Sequence, residues 1–127
     1  MENQKYHILV VDDEPSVCKA MQMMLKHFGH EVQTAESGEA ALTLLESAQF
    51  DLIITDYLMP DMKGDKLVAL IKQRRPAQRI ILATAYAEDF IAYGKPTGGV
   101  DHVLEKPFSL AKLQEAIARV LPGKNPN

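Results

Sequence analysis

The chain has 127 residues, 46% of them hydrophobic, which suits one globular domain with a single core. Its formal net charge of −3, with acids and bases mixed along the chain, argues against nucleic acid or an anionic membrane as the main partner. No apolar run approaches the roughly 18 residues of a membrane span, the start MENQKYHILVV lacks the features of a signal peptide, and the single cysteine, Cys18, rules out an internal disulfide and fits a reducing cytoplasm.

Short apolar runs alternate with amphipathic stretches. Tyr6 to Val11, YHILVV, is apolar almost throughout, as a strand covered on both faces should be. Pro15 suits the first turn of a helix, Val17, Met21, Met24, Leu25 and Phe28 recur at helical spacing, and Gly29 is a natural C-terminal cap. Glu31 to Ala35 reads as a second, weaker strand. Ser37 can cap a second helix with Ala41, Leu44, Leu45 and Ala48 on one face. The third strand, DLIIT, stops on Asp56. A third helix carries Leu67, Leu70 and Ile71 and ends near Pro76. Arg79 to Thr84 is the fourth strand and His102 to Glu105 the fifth. Ser109 caps a last helix with Leu110, Leu113, Ile117 and Val120 inward.

Five strands alternating with five helical stretches predict an α/β fold, a doubly wound five-stranded parallel sheet with helices on both faces. Right-handed crossovers favour the flavodoxin-like order 2-1-3-4-5. The fourth helical stretch is expected to be short or irregular. Gly94, Pro96, Gly98 and Gly99 all disfavour a helix between Tyr93 and Val100. The domain is read as residues 1–121, and the polar, breaker-rich PGKNPN of 122–127 as a tail or the start of a linker.

Open parallel sheets bind ligands outside the carboxyl ends of their strands. Asp12 and Asp13 follow strand one, Asp56 ends strand three, Thr84 ends strand four, and Lys106 follows strand five. Carboxylates this close repel unless a cation sits among them, and their hard oxygens suit Mg²⁺. A carboxylate beside such a metal can attack phosphorus and become an aspartyl-phosphate, with the metal and a lysine neutralising the transferring group. Asp56 is the expected acceptor, and Thr84 can donate a hydrogen bond to a phosphoryl oxygen.

Asp12-Asp13, Asp56 within DYLMPDMKG, Thr84-Ala85 and Lys106-Pro107-Phe108 together closely resemble the receiver domains of two-component response regulators, from Tyr6 to about Leu121. The resemblance implies a phosphorylation-dependent signalling switch, not an enzyme in its own right, that takes a phosphoryl group from a phosphohistidine donor. The donor would be a sensor histidine kinase or a histidine phosphotransfer protein. Asp56 would be the phosphoacceptor, Thr84 the switch hydroxyl and Lys106 the phosphoryl-binding lysine. Asp12 and Asp13 would form the acidic pocket, and Mg²⁺ would be bound by Asp13, Asp56 and the backbone carbonyl of Leu58. The Lys106–Pro107 peptide is often cis in this family. The output would pass to a downstream protein or to an output domain, in the cytoplasm, without direct binding of nucleic acid or membrane; a homodimer is compatible with the resemblance. Two features depart from the family pattern: Val103 stands where many receivers carry an aromatic switch residue, and the fourth helix has the glycine- and proline-rich composition noted above.

Other readings compete. A Mg²⁺-dependent phosphatase or phosphotransferase with an aspartyl nucleophile would need a second acid near Asp56 to protonate the leaving group, and Leu58 cannot serve. A flavin mononucleotide carrier is disfavoured by the acidic DDEPS after strand one. The remaining polar residues have plain readings. Glu14 is a solvated first-turn acid, Gly64 a turn residue with positive φ, and His27 and His30 surface residues. His7 and His102 are structural, Cys18 is inert, and Met21, Met23 and Met24 pack the first helix.

Overall fold

The computed structural model describes residues 5–92, 95, 96 and 98–121. In chain order the elements are β1 (His7–Val11), α1 (Pro15–His27), β2 (Glu31–Ala35), α2 (Gly38–Leu45), β3 (Leu52–Asp56), α3 (Gly64–Arg74), β4 (Arg79–Thr84), a 3₁₀ turn (Ala87–Phe90), β5 (Ile91–Ala92), β6 (Lys95–Pro96), β7 (His102–Glu105) and α4 (Leu110–Val120). The main sheet has the order β2-β1-β3-β4-β7 and every pairing in it is parallel. With β7 as the fifth strand of the sequence reading, this is the flavodoxin-like arrangement.

Side chains alternate across the strands and build a core on each face. Ile8, Val10, Leu52, Ile54, Ile81 and Leu104 face Met21 and Leu25 of α1 and Leu113, Ile117 and Val120 of α4. Leu9, Val11, Ile53 and Ile80 face Ala41 and Leu45 of α2 and Leu67, Val68 and Ile71 of α3. In α3, Val68 is fully buried and Leu70 only partly, so the inward stripe is turned slightly from the predicted one. Removing the greater part of a fully buried Leu or Ile from either layer costs about 2–5 kcal/mol in cores of this kind.

The predicted caps form. Gly29, at φ 93°, ends α1, where its N–H donates to the carbonyl of Lys26 at 2.9 Å and the His30 N–H to that of Leu25 at 3.1 Å. Ser37 Oγ accepts from the Ala40 N–H and Ser109 Oγ from that of Lys112. Two acids outside the strands fix the sheet register. The Asp51 N–H donates to the His7 carbonyl and its carboxylate accepts from the His7 N–H, both at 2.8 Å. Asp101 repeats this pattern on Ile80, at 2.9 and 2.8 Å.

The fourth helical stretch, expected to be short or irregular, is a single 3₁₀ turn followed by the two-residue antiparallel pair β5–β6, so the domain has four α-helices among the described residues. Gly98 and Gly99 take the left-handed backbone, at φ 72° and 87°, that residues with a Cβ rarely adopt. Tyr93, Gly94 and Thr97 of the predicted irregular stretch lie outside the described residues, as does the 122–127 tail. His27 is exposed as expected, but His30 is half-buried and its Nδ1 accepts from the Tyr6 N–H at 3.2 Å.

Burial holds His30 below the ordinary imidazole value of 6.5, and burial together with the Arg119 charge does the same for His102, against the pull of Glu115. The folded chain therefore binds fewer protons than the unfolded chain as pH falls through about 6.5. The associated stability is present above that value and is lost as pH falls toward the folded-state values. Melting temperature should drop between about pH 7.5 and pH 5.5. A His30→Gln, His102→Gln double variant should show a flatter profile over the same range, and an unchanged slope would assign the effect to other groups.

Candidate functional site

The register brings the strand ends level. Val11 pairs with Thr55, so Asp12 emerges beside Asp56. Asp56 pairs with Ala83, which puts Thr84 one step further along the same rim. Thr84 pairs with Glu105, and its carbonyl accepts from the Lys106 N–H at 2.9 Å. Four strands thus deliver their terminal polar residues to one edge.

One oxygen each from Asp12, Asp13 and Asp56 can be chosen so that all lie within 4.8 Å of one another, the only such grouping of three or more potential metal ligands among the described residues. Lys106 Nζ donates to Asp56 Oδ1 at 3.0 Å and to Asp12 Oδ2 at 3.2 Å. Asp12 is 3% exposed, and its other carboxylate oxygen accepts from the Glu14 N–H at 3.0 Å. Burial pushes the Asp56 carboxyl above its ordinary pKa, with the Asp12 charge acting in the same direction, while the hydrogen bond and charge of Lys106 pull it down. Burial alone would lower the Lys106 ammonium, but Asp56 and Asp12 outweigh it and raise its pKa. With its pKa raised, the lysine stays charged.

Thr84 is 2% exposed, and its hydroxyl oxygen accepts from the Tyr86 N–H at 3.0 Å. Leu58 lies two residues past Asp56 with its side chain 49% exposed, and the Tyr86 side chain is 53% exposed. Val103 is buried in β7 opposite Leu82. The Lys106–Pro107 peptide is cis. Glu14 is exposed, and Cys18 is buried with its thiol donating to the Asp12 carbonyl at 3.3 Å.

Gly64 corrects the sequence reading. It is absent from the positive-φ residues and is instead the buried first residue of α3, its N–H donating to the Tyr57 carbonyl at 2.7 Å. A Cβ there would lie 2.5 Å from the Asp56 carbonyl oxygen and 2.9 Å from the Tyr57 Cα. Close backbone approach, not turn geometry, requires the glycine. Two contacts were not foreseen. The Tyr57 ring lies 4.6 Å from that of Phe90 in the 3₁₀ turn, with Lys63 Nζ 5.9 Å from its centroid. Asp61 bonds across to α2, accepting from the Gly38 N–H at 3.2 Å and the Glu39 N–H at 3.0 Å. Nothing in the local sequence marks Asp61, because its partners lie on another element.

The structure is thus that of a doubly wound, flavodoxin-like α/β domain with a lysine-bridged acidic group at the carboxyl rim, where sheets of this kind bind their ligands. Residues 8–118 match the family profile of the response regulator receiver domain, and the chain belongs to that family. It is 34% identical over 126 residues to the transcriptional regulatory protein GlrR of Escherichia coli K12, covering 99% of this chain and 28% of that protein. Among solved structures, the response regulator TrrA of Thermotoga maritima in complex with Mg²⁺–BeF has a TM-score of 0.82 at 34% identity, covering 91% of this chain and 98% of that one. The chemotaxis response regulator CheY4 of Vibrio cholerae has a TM-score of 0.83 at 30% identity, covering 93% and 100%. The chain is thus a regulatory receiver domain, spanning little more than a quarter of the length of the GlrR relative. No helix among its described residues is long and apolar enough to cross a membrane.

Gly64→Ala should destabilise the domain by about 1–3 kcal/mol in chemical denaturation, the usual range for overpacking. A variant as stable as the wild type would show that the β3–α3 junction can spread without cost.

Proposed function

We propose that Asp56 is the phosphoacceptor of a signalling switch. The observation that carries this reading is the reach of Lys106 Nζ to both Asp56 and Asp12, beside the Asp13 carboxylate. An Asp56 carboxylate oxygen attacks the phosphorus of a phosphohistidine, and the phosphorus–nitrogen bond breaks with its electron pair going to the imidazole, which takes its proton from solvent. Lys106 then pairs with the phosphoryl oxygens, and the Thr84 hydroxyl donates to one of them. In this role the domain catalyses only its own phosphorylation and hydrolysis.

The acidic group fits Mg²⁺, because its donors are hard carboxylate oxygens close enough to share one ion. Asp13, Asp56 and the Leu58 backbone carbonyl would hold it, with Asp12 completing the acidic pocket. Bound there, Mg²⁺ would offset the charge gathered around the transferring phosphoryl group. The donor would be a sensor histidine kinase or a histidine phosphotransfer protein. The output would go to a partner or to a further domain in the cytoplasm, with residues 1–121 forming the receiver unit. An aspartyl-nucleophile phosphatase or phosphotransferase is the rival reading. Asp61, the next acid along the chain from Asp56, is engaged with α2 and not with the acidic group, which weighs against that rival.

Wild-type protein incubated with acetyl phosphate and Mg²⁺ should gain one phosphoryl group by mass spectrometry, and Asp56→Asn should gain none. Phosphate on the variant would overturn the acceptor assignment, and repeated turnover of the donor without a retained group would favour the rival. Asp13→Ala should abolish the rise in melting temperature that Mg²⁺ gives the wild type.

The phosphorylated state should be comparatively long-lived. Leu58 and Tyr86 are exposed and bulky, and neither is an acid or amide suited to orienting an attacking water. A Leu58→Asn, Tyr86→Glu double variant should lose its phosphate faster than the wild type, and an equal rate would show that these side chains do not set the lifetime.

A further inference from the structure

Asp61 is used by neither the proposed metal site nor the proposed phosphotransfer. It lies on the connection between β3 and α3, and its carboxylate turns to α2, one oxygen accepting from the Gly38 N–H at 3.2 Å and the other from the Glu39 N–H at 3.0 Å. These are first-turn donors of α2, and Ser37 Oγ takes the next, from Ala40, at 3.0 Å. The cap of α2 is therefore shared between its own Ser37 and a residue from another loop. The N–H groups of Glu39, Gly38, Met62 and Asp61 itself hold the Asp61 carboxyl below its ordinary pKa, more than offsetting the effect of its slight burial.

The rest of the connection is fixed at other points. The Gly64 N–H closes it at the base on the Tyr57 carbonyl at 2.7 Å. Met59 is buried in the core between the sheet, α2 and α3. Met62 lies against Gly38, where a Cβ would come within 2.5 Å of Met62 Cγ. Leu58 sits between the closed base and buried Met59, and beyond Met59 the loop is held to the first turn of α2 by Asp61 and Met62.

We infer that Asp61 is a positioning residue. By clamping the β3–α3 connection to the first turn of α2, it holds the Leu58 carbonyl in place for a divalent cation bound at Asp13 and Asp56. This rests on the cation site proposed above. A carbonyl on a loop serves as a ligand only if the loop is held to within about 0.5 Å, and residues behind a metal's ligands commonly contribute about tenfold or more to affinity. With its charge directed to the α2 N–H groups, Asp61 braces the loop without entering the acidic group itself.

Calorimetric titration of the whole chain with MgCl₂ tests this, using Asp61→Ala, Asp61→Asn and Ser37→Ala. Ser37→Ala also removes a cap from the same helix end but leaves the loop tethered, so it separates helix stability from loop placement. Asp61→Ala should weaken Mg²⁺ binding by about tenfold or more. Asp61→Asn keeps one acceptor oxygen and should fall between Asp61→Ala and the wild type, while Ser37→Ala should bind as the wild type does. Equal affinity in Asp61→Ala and wild type would overturn the inference, as would a loss in Ser37→Ala as large as that in Asp61→Ala. A wild type that takes up no Mg²⁺ would instead overturn the cation site, and this inference with it.

Discussion

The ammonium of Lys106 reaches carboxylates on both Asp12 and Asp56, and so joins the end of the fifth strand of the main sheet to the ends of the first and third. Asp12, Asp13 and Asp56 would otherwise face one another across less than 5 Å in a partly buried setting. One lysine cannot balance three carboxylates. Burial, with a smaller push from Asp12, raises the Asp56 carboxyl against the pull of Lys106, and an acidic rim of this kind suits added positive charge. The same lysine leads into α4 through the cis Lys106–Pro107 peptide and the Ser109 cap, so the site and the packing of the last helix share one short connection.

Much of this was legible in the sequence because it is local. The buried strands are runs such as HILVV and LIITD, and the parallel sheet follows from alternation of runs and amphipathic stretches. The caps at Gly29, Ser37 and Ser109 follow from residue type and position. The rim residues Asp12, Asp13, Asp56, Thr84 and Lys106 follow from where each strand stops. What escaped is tertiary. Gly64 is a glycine because the backbone of β3 passes against it. His30 is tied down by Tyr6, the residue before β1, and Asp61 by a helix that precedes it in the chain. No window of sequence holds both partners of these contacts.

The stretch after β4 carries the main departure from a regular doubly wound fold. A 3₁₀ turn and a two-residue ribbon stand where a regular doubly wound fold has its fourth helix, as the glycines and Pro96 led one to expect, and Val103 stands where an aromatic is common in the family that the chain resembles. The domain still connects its rim to this region by an aromatic contact, made from the other side. Tyr57, the neighbour of Asp56, sets its ring against Phe90, while its carbonyl holds the start of α3 through Gly64.

The paired bonds of Asp51 to His7 and of Asp101 to Ile80 bear on how such a domain can diverge. Each acid clamps the residue before a strand to the neighbouring strand, and so resets the register whatever path the chain took to arrive. Beyond Asp101, β7 runs alongside β4 and delivers Lys106 beside the Thr84 carbonyl. Because Asp101 itself sets where β7 begins against β4, a change of length in the connection just before it leaves Lys106 beside its carboxylates. A single residue gained or lost within β7 would have the opposite effect, turning each later side chain to the other face and carrying the lysine away from its carboxylates.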